Sequence, residues 1–305
     1  MKKKIAFLIL AHTDYKQLHR LITALDDERF DLYIHVDKKN IKDFKFNNIN
    51  MKYGNLYICS KRYNVVWGDI SIVEATLQMY KQAFENYSYC RYVTLSGLDY
   101  PIMSNNQLWN ILSREKIEYI GGEKLKNAEY MRVDWPYFWN NRILFEVSKH
   151  IVGFKPAYWL IHLIRHGKHK KLEINGKKSD IFFLPQWHAL SGEFVKYMLN
   201  TLKNNSNIMG YFKHTFAPDE MLIPTILFNS EFRNIAIENN YPEGTHYNQK
   251  CVTHYINYEP QVEVFNECKY EDIKNSRKMF TRKVRSGESD KLCELLDENR
   301  DKIEN

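Results

Sequence analysis

The sequence contains no C-x-x-C pair. Its five cysteines, Cys59, Cys90, Cys251, Cys268 and Cys293, are far apart and odd in number. That spacing argues against a zinc site, and the thiols are expected to be reduced. No apolar run approaches the roughly 20 residues needed to cross a bilayer. The opening "MKKKIAFLILAH" has a basic start and a short apolar run, but no small-residue cleavage site follows. It reads as a first buried strand rather than a signal peptide. Glycine and proline are sparse, 12 and 8 in 305 residues, and no Gly/Ser linker, internal repeat or low-complexity segment divides the chain. One domain over 1–305 is therefore expected.

The composition that remains is that of a globular protein, with 44% apolar and 27% charged residues. A net charge of +7 favours anionic partners without choosing among nucleotides, phosphates, anionic lipid and nucleic acid. Aromatic residues reach 14%, with 21 tyrosines. Such rings suit flat, partly wet surfaces such as sugar sites, although many serve the core.

Periodicity then gives the order of elements. The continuous apolar run "KIAFLILAH" (4–12) has the form of a strand buried on both faces. A helix is expected over 14–25, with Asp14 as its N-cap and Leu18, Leu21, Ile22 and Leu25 on one face. A strand over 30–39 completes a β-α-β unit. Further strands are expected at 55–60, 90–102 and 117–122, and helices at 69–86 and 105–115. This alternation predicts an α/β fold with a mostly parallel central sheet and a Rossmann-like nucleotide-binding half over 1–122. Aromatic residues crowd 130–142, where the texture changes, so 123–290 reads as an acceptor or catalytic half. Within it, strand, turn and helix are expected over 180–202 and a helix over 218–229. Residues 291–305 read as a charged helix or tail.

Five stretches stand out chemically. Asp37 ends the second strand, where ligands of open α/β sheets bind. It is either a hydrogen-bond acceptor for a nucleotide or a solvated strand end. "TLSGLDYP" (94–101) has Gly97-Leu98-Asp99 where a metal-binding Asp-x-Asp would need a second carboxylate. A plain turn accounts for it equally. "SRKMFTRKVR" (276–285) offers Arg282 and Lys283, suited to a diphosphate or to a solvated helix face. In "FAPDEMLIPTIL" the adjacent Asp219 and Glu220 follow Pro218 and precede an apolar run. Acidic residues in a first helical turn are stabilising by about 0.3–1 kcal/mol, which explains the pair without any chemistry. The competing reading makes Glu220 a general base. Finally, an apolar then basic stretch at 154–171 is either an interfacial segment for anionic lipid or a core helix with a solvated end.

In order along the chain, "IAFLILAH", "LHRLITAL", "YIHVDKK", "VVWGDISIVEATL", "YVTLSGLDYPI", "PQWHALSGEFVKYML", "FAPDEMLIPTIL" and "MFTRKV" span residues 5–284. Together they resemble the core-2/I-branching β-1,6-N-acetylglucosaminyltransferases and the related peptide O-xylosyltransferases. The resemblance implies a GT-A-type fold and an inverting, metal-independent transfer from a UDP-sugar, with no cofactor. It implies that Glu220 is the base, that Arg282 and Lys283 meet the diphosphate, and that Ala11, His35, Val36, Asp37, Trp67, Ser96 and Asp99 surround the nucleotide-sugar. Trp135, Trp139, Trp187, Asp219, Tyr255 and Tyr258 are the expected acceptor side, with core packing the alternative for at least one of the tryptophans. Animal members carry a further phosphate-binding Arg upstream, and no Arg occurs over 254–265 here. They also carry a membrane anchor and paired cysteines, which this chain lacks.

The expectation is a bacterial-type cytoplasmic enzyme, peripheral on the inner membrane face, that builds a surface polysaccharide and binds no nucleic acid. It would move N-acetylglucosamine from UDP to a glycan hydroxyl, including a lipid-linked one. The alternatives are xylose transfer on the same fold and a non-catalytic glycan- or membrane-binding protein. A glycoside hydrolase is less suited to this sequence, because Asp219 and Glu220 are neighbours and cannot flank a bond.

Overall fold

The computed structural model describes residues 2–44, 49, 51–114, 116–126, 133, 172–213, 215–237, 245, 247–258 and 261–304. β1 (Ile5–Ala11) is apolar throughout, as a strand covered on both faces must be. Its side chains alternate between two hydrophobic cores: Ala6 and Leu8 enter one, Ile5, Phe7 and Ile9 the other. Each fully buried side chain of this kind contributes on the order of 1.5–3 kcal/mol. α1 (Tyr15–Ala24) starts at Asp14, whose carboxylate accepts the Gln17 amide, and buries Leu18, Leu21 and Ile22. β2 (Phe30–Val36) returns parallel to β1, with Ile5 opposite Phe30 and Ala11 opposite Val36.

β3 (Asn55–Ile58), α2 (Ile70–Asn86), β4 (Arg91–Ser96) and α3 (Asn105–Arg114) continue the alternation. The central sheet runs Ala189–Ser191, β4, β1, β2, β3. Every pairing is parallel except that of Ala189–Ser191 with β4. This is the mixed α/β architecture with a mostly parallel sheet expected of a GT-A-type fold. Residues 189–191 lie beyond position 122, so the sheet draws on both halves of the sequence.

A second, three-stranded sheet sets β5 (Asp99–Pro101) beside strand Phe280–Arg282, which pairs in turn with His254–Ile256. A small third core lies behind it, built from Tyr100, Ile102, Phe265, Val284, Leu292 and Leu296. The charged C-terminal segment is a helix, Asp290–Glu304, and it is tied down. Tyr100 Oη donates to Asp297, and Arg300 donates to the carbonyls of Ala24 and Met103.

Two elements depart from expectation. The strand expected at 117–122 is reduced to single bridges at Glu118 and Tyr119 and the short strand Glu123–Lys124. The helix expected over 218–229 is a 3-10 turn, Pro218–Glu220, followed by an α-helix, Leu222–Phe228. Pro224 is the reason. It has no N–H for the Glu220 carbonyl, so a helix running through both is one bond short. The Leu184 amide takes that carbonyl instead, at 3.1 Å. All five cysteines are free thiols. Among the described residues, no helix is long and apolar enough to cross a membrane.

Candidate functional site

A cavity of about 490 Å³ opens where β1, β2 and β4 end. Its wall includes Ala11, His35, Asp37, Trp67, Ser96, Trp187 and Arg282, drawn from six separate stretches of sequence. Ligands of parallel sheets bind beyond the carboxyl ends of the strands, and the cavity has that location. The strand ends are held together by backbone bonds from Asp37 to the Ala11 carbonyl and from Gly97 to the Leu10 carbonyl, both 2.9 Å. Val36, expected near the nucleotide, points the other way, into the second core.

His35 and Asp37 share a face of β2 by alternation. The Tyr63 amide donates to His35 Nε2 at 2.9 Å, so the neutral ring carries its proton on Nδ1. Burial pushes this histidine down to about 4. Asp37 is 4% exposed, and its carboxylate accepts the Lys39 amide at 2.9 Å.

Trp67 stands at the rim, 65% exposed. The W-G-x-x-S pattern has a local structural reason. Gly68 takes a left-handed φ of 77°, Asp69 caps α2 through the Ser71 amide, and Ser71 Oγ accepts the Val66 amide at 3.0 Å. The loop carrying the tryptophan is thereby fixed to the start of a helix.

Arg282 reaches the cavity from the second sheet. Antiparallel pairing puts it directly opposite Asp99. Its Nη1 donates to Asp99 Oδ1 at 2.7 Å, and its guanidinium lies 4.7 Å from the centre of the Trp187 ring. Asp99 was expected at the nucleotide. It has no exposed surface and is absent from the cavity wall, because an unpaired buried carboxylate would be costly and this one is fully engaged. Burial pushes Asp99 up, but the Arg282 guanidinium and the electrostatics and hydrogen bonds of the His254 imidazole and Ser96 amide outweigh it and hold the carboxyl below its usual range. Among the described residues, the Lys283 ammonium has no hydrogen bond or ion pair; burial and the neighbouring Arg282 and Arg285 lower its pKa. The segment beyond it is anchored where Ser286 donates to Asp14 through its amide at 2.8 Å and its hydroxyl at 2.6 Å.

The P-D-E turn adjoins this wall. The Ala217 amide donates to the Gly68 carbonyl at 3.1 Å, and Phe216 packs edge-on to Trp67 at 5.7 Å. Ala217 itself has a left-handed φ of 52°, costly for a residue with a Cβ. Asp219 lines a small cavity of about 20 Å³ together with Gln186 and Trp187, which also line the large one. Asp219 Oδ1 is buried without a hydrogen-bond partner in the described structure. Burial, and then the adjacent Glu220, push this carboxyl up to about 7. Glu220 is half-buried at the end of the turn.

The acceptor-side expectations scatter. Trp187 is 7% exposed, and its ring is already used by Arg282 and by His254 at 5.2 Å. Tyr255 packs on Phe265 at 5.4 Å in the second sheet, and Tyr258 is exposed there; neither is on the cavity wall. Trp135, Trp139 and the 154–171 stretch lie outside the described residues. Among the described residues, no group of three or more His, Cys, Asp or Glu is placed to hold a metal ion.

Sequence reasoning passed over several wall residues, the polar ones being His12, Lys39, Asn40 and Gln186. His12 directly follows Ala11, and Gln186 directly precedes Trp187. His12 keeps exposed surface, but partial enclosure and the charges of Arg282 and Lys283 lower its pKa. A polar residue at the last position of a buried apolar strand was the available signal.

The chain matches the Core-2/I-Branching enzyme family over residues 5–277. Curated relatives include xylosyltransferase 1 of Canis lupus familiaris, 26% identical over 255 residues, 81% of this chain and 24% of that protein. Xylosyltransferase oxt of Drosophila melanogaster is 25% identical over 252 residues, 78% of this chain and 26% of that protein. The chain thus spans about a quarter of the length of these relatives. Among solved structures, mouse xyloside xylosyltransferase 1 in its apo form has a TM-score of 0.31 at 9% identity, covering 74% of this chain and 81% of that one, too slight a likeness to place the fold. With the family matched across nearly the whole chain, the protein belongs to the Core-2/I-Branching enzymes, a family of glycosyltransferases.

Proposed function

We propose that the chain transfers a sugar from a UDP donor to a glycan hydroxyl with inversion and without a divalent ion. The observation that carries this reading is the cross-strand pair of Arg282 with Asp99, which brings a guanidinium to a cavity at the ends of parallel strands. The unpaired Lys283 ammonium follows it in sequence. A diphosphate leaving group needs cationic stabilisation, and the held Arg282 guanidinium on the cavity wall, with Lys283 next to it in sequence, supplies it. Asp37 and the Ser96 turn seat the nucleoside. Glu220 removes the proton from the acceptor hydroxyl. The hydroxyl oxygen then attacks the anomeric carbon, and the bond to UDP breaks with its electron pair passing to the diphosphate.

The relatives' names favour xylose over N-acetylglucosamine as the transferred sugar. A screen of UDP-sugars, reading UDP release with and without EDTA, separates them. Release should be strongest with UDP-xylose or UDP-N-acetylglucosamine and unchanged by EDTA. Strong EDTA inhibition would overturn the metal-independent reading. Sugar release from an oligosaccharide without nucleotide would instead indicate a hydrolase. Failure to bind UDP, with glycan or anionic liposome binding retained, would indicate a binding protein.

A further inference from the structure

Asp99 is a fully buried charged group off the cavity wall, and each of its carboxylate oxygens has a partner. Its Oδ1 accepts Arg282 Nη1 at 2.7 Å; its Oδ2 accepts the Ser96 amide at 2.6 Å and lies 3.2 Å from His254 Nε2. His254 is completely buried, with the rings of Trp187 and Phe280 each 5.2 Å away. Its Nδ1 lies 2.8 Å from Thr253 Oγ1. A ring facing a carboxylate through Nε2 must carry its proton there, so Nδ1 accepts the Thr253 hydroxyl. A directed chain results: Thr253 donates to His254, His254 to Asp99, and Asp99 holds Arg282. Trp187 covers a face of the same guanidinium. Among the described residues, Arg282 makes no other hydrogen bond, so its remaining N–H groups are left for a ligand in the cavity it lines.

We propose that Asp99 and His254 are positioning residues for Arg282, holding its guanidinium in the orientation that meets the donor diphosphate. The proposal rests on the UDP-donor reading above. An unheld arginine must be immobilised when ligand binds, and that ordering weakens affinity. Asp99 also brings a negative charge close to an anion site, which by charge alone should weaken binding. The two effects have opposite signs, so removing the charge tests which one governs.

The experiment is titration calorimetry of UDP against wild type, Asp99→Asn, Arg282→Ala and the double variant, each checked for folding by circular dichroism. Asp99→Asn should weaken UDP about tenfold in the wild-type background and about twofold or less once Arg282 is gone. Thr253→Val, which lets the imidazole proton move away from Asp99, should act in the same direction by about threefold and serves if Asp99→Asn does not fold. Unchanged or tighter UDP binding in the variants that fold would overturn the positioning role. So would an equal loss in the Arg282→Ala background, which marks a merely structural effect. If Arg282→Ala itself leaves UDP binding intact, the donor reading falls, and the positioning role with it.

Discussion

The turn at 96–99 and the turn at 217–220 each take a carboxylate out of water beside the same cavity, and they treat it in opposite ways. Asp99 is surrounded by a guanidinium, an imidazole N–H and a backbone amide, and its carboxyl is held below the ordinary range. Asp219 is left with one buried oxygen unmatched and a second carboxylate next door, and is pushed up to about 7. Burial disfavours charge in both places. The partners decide the outcome: one carboxylate is kept ionised as a structural anion, while the other keeps its proton up to near neutrality.

The strongest break in this comparison is at Glu220, which shares a turn with Asp219 and is our proposed base. Glu220→Gln should lower kcat by about a thousandfold or more with UDP affinity kept, read from UDP-release kinetics and calorimetry. Retained turnover would reduce Glu220 to a helix-start residue. Next, Asp99→Asn should cost about 3–5 kcal/mol of stability in urea melts, because it leaves Arg282 enclosed without its anion. Arg282→Ala should weaken UDP by roughly 10–100-fold, an effect that shrinks as salt rises.

A fourth prediction concerns His188, 2% exposed behind the cavity and hydrogen-bonded through Nε2 to Tyr80 Oη at 2.9 Å. Burial pushes it down to about 3. Its folded pKa lies below the unfolded value, so the unfolded chain binds the extra proton as pH falls. Its contribution is full above about pH 6.5 and is lost from there toward pH 3. Replacing it in His188→Gln should flatten the stability profile in that window by about 1.4 kcal/mol per pH unit.

Smallest is Asp219→Asn, at about 1 kcal/mol or less near pH 5, because asparagine resembles the protonated acid already present. Here the folded pKa is raised, so wild-type stability falls as pH climbs from about 4 to about 7. The variant does not titrate, and the difference should move in its favour across that range. A large loss at pH 5 would mean that Asp219 is ionised and paired.

The sequence was most legible where one physical rule dominated. The unbroken apolar run of β1 and the Asp14 cap could be read directly, and both are found. The start of the 218–229 helix was misjudged because Pro224 acts four residues away, on the Glu220 carbonyl, which a periodicity count ignores. In the site, strand-end residues such as Asp37 and Ser96 were legible because topology places them. The role of Asp99 was not. Its partner is 183 residues distant, and only the strand register makes Arg282 its neighbour. Trp187 shows the same limit: it was expected on the acceptor side as a surface for a sugar, while the fold had already set a cation on it.

The bond from the Ala217 amide to the Gly68 carbonyl, 3.1 Å, splices the rim loop to the turn that bears Glu220, the proposed base. Trp67 and Glu220 therefore sit on two loops tied to each other by a backbone hydrogen bond. In the proposed reaction, a donor that shifts the tryptophan would then shift the carboxylate too, linking donor binding to the readiness of the base. Variants anywhere along this splice should change the affinities for both substrates at once.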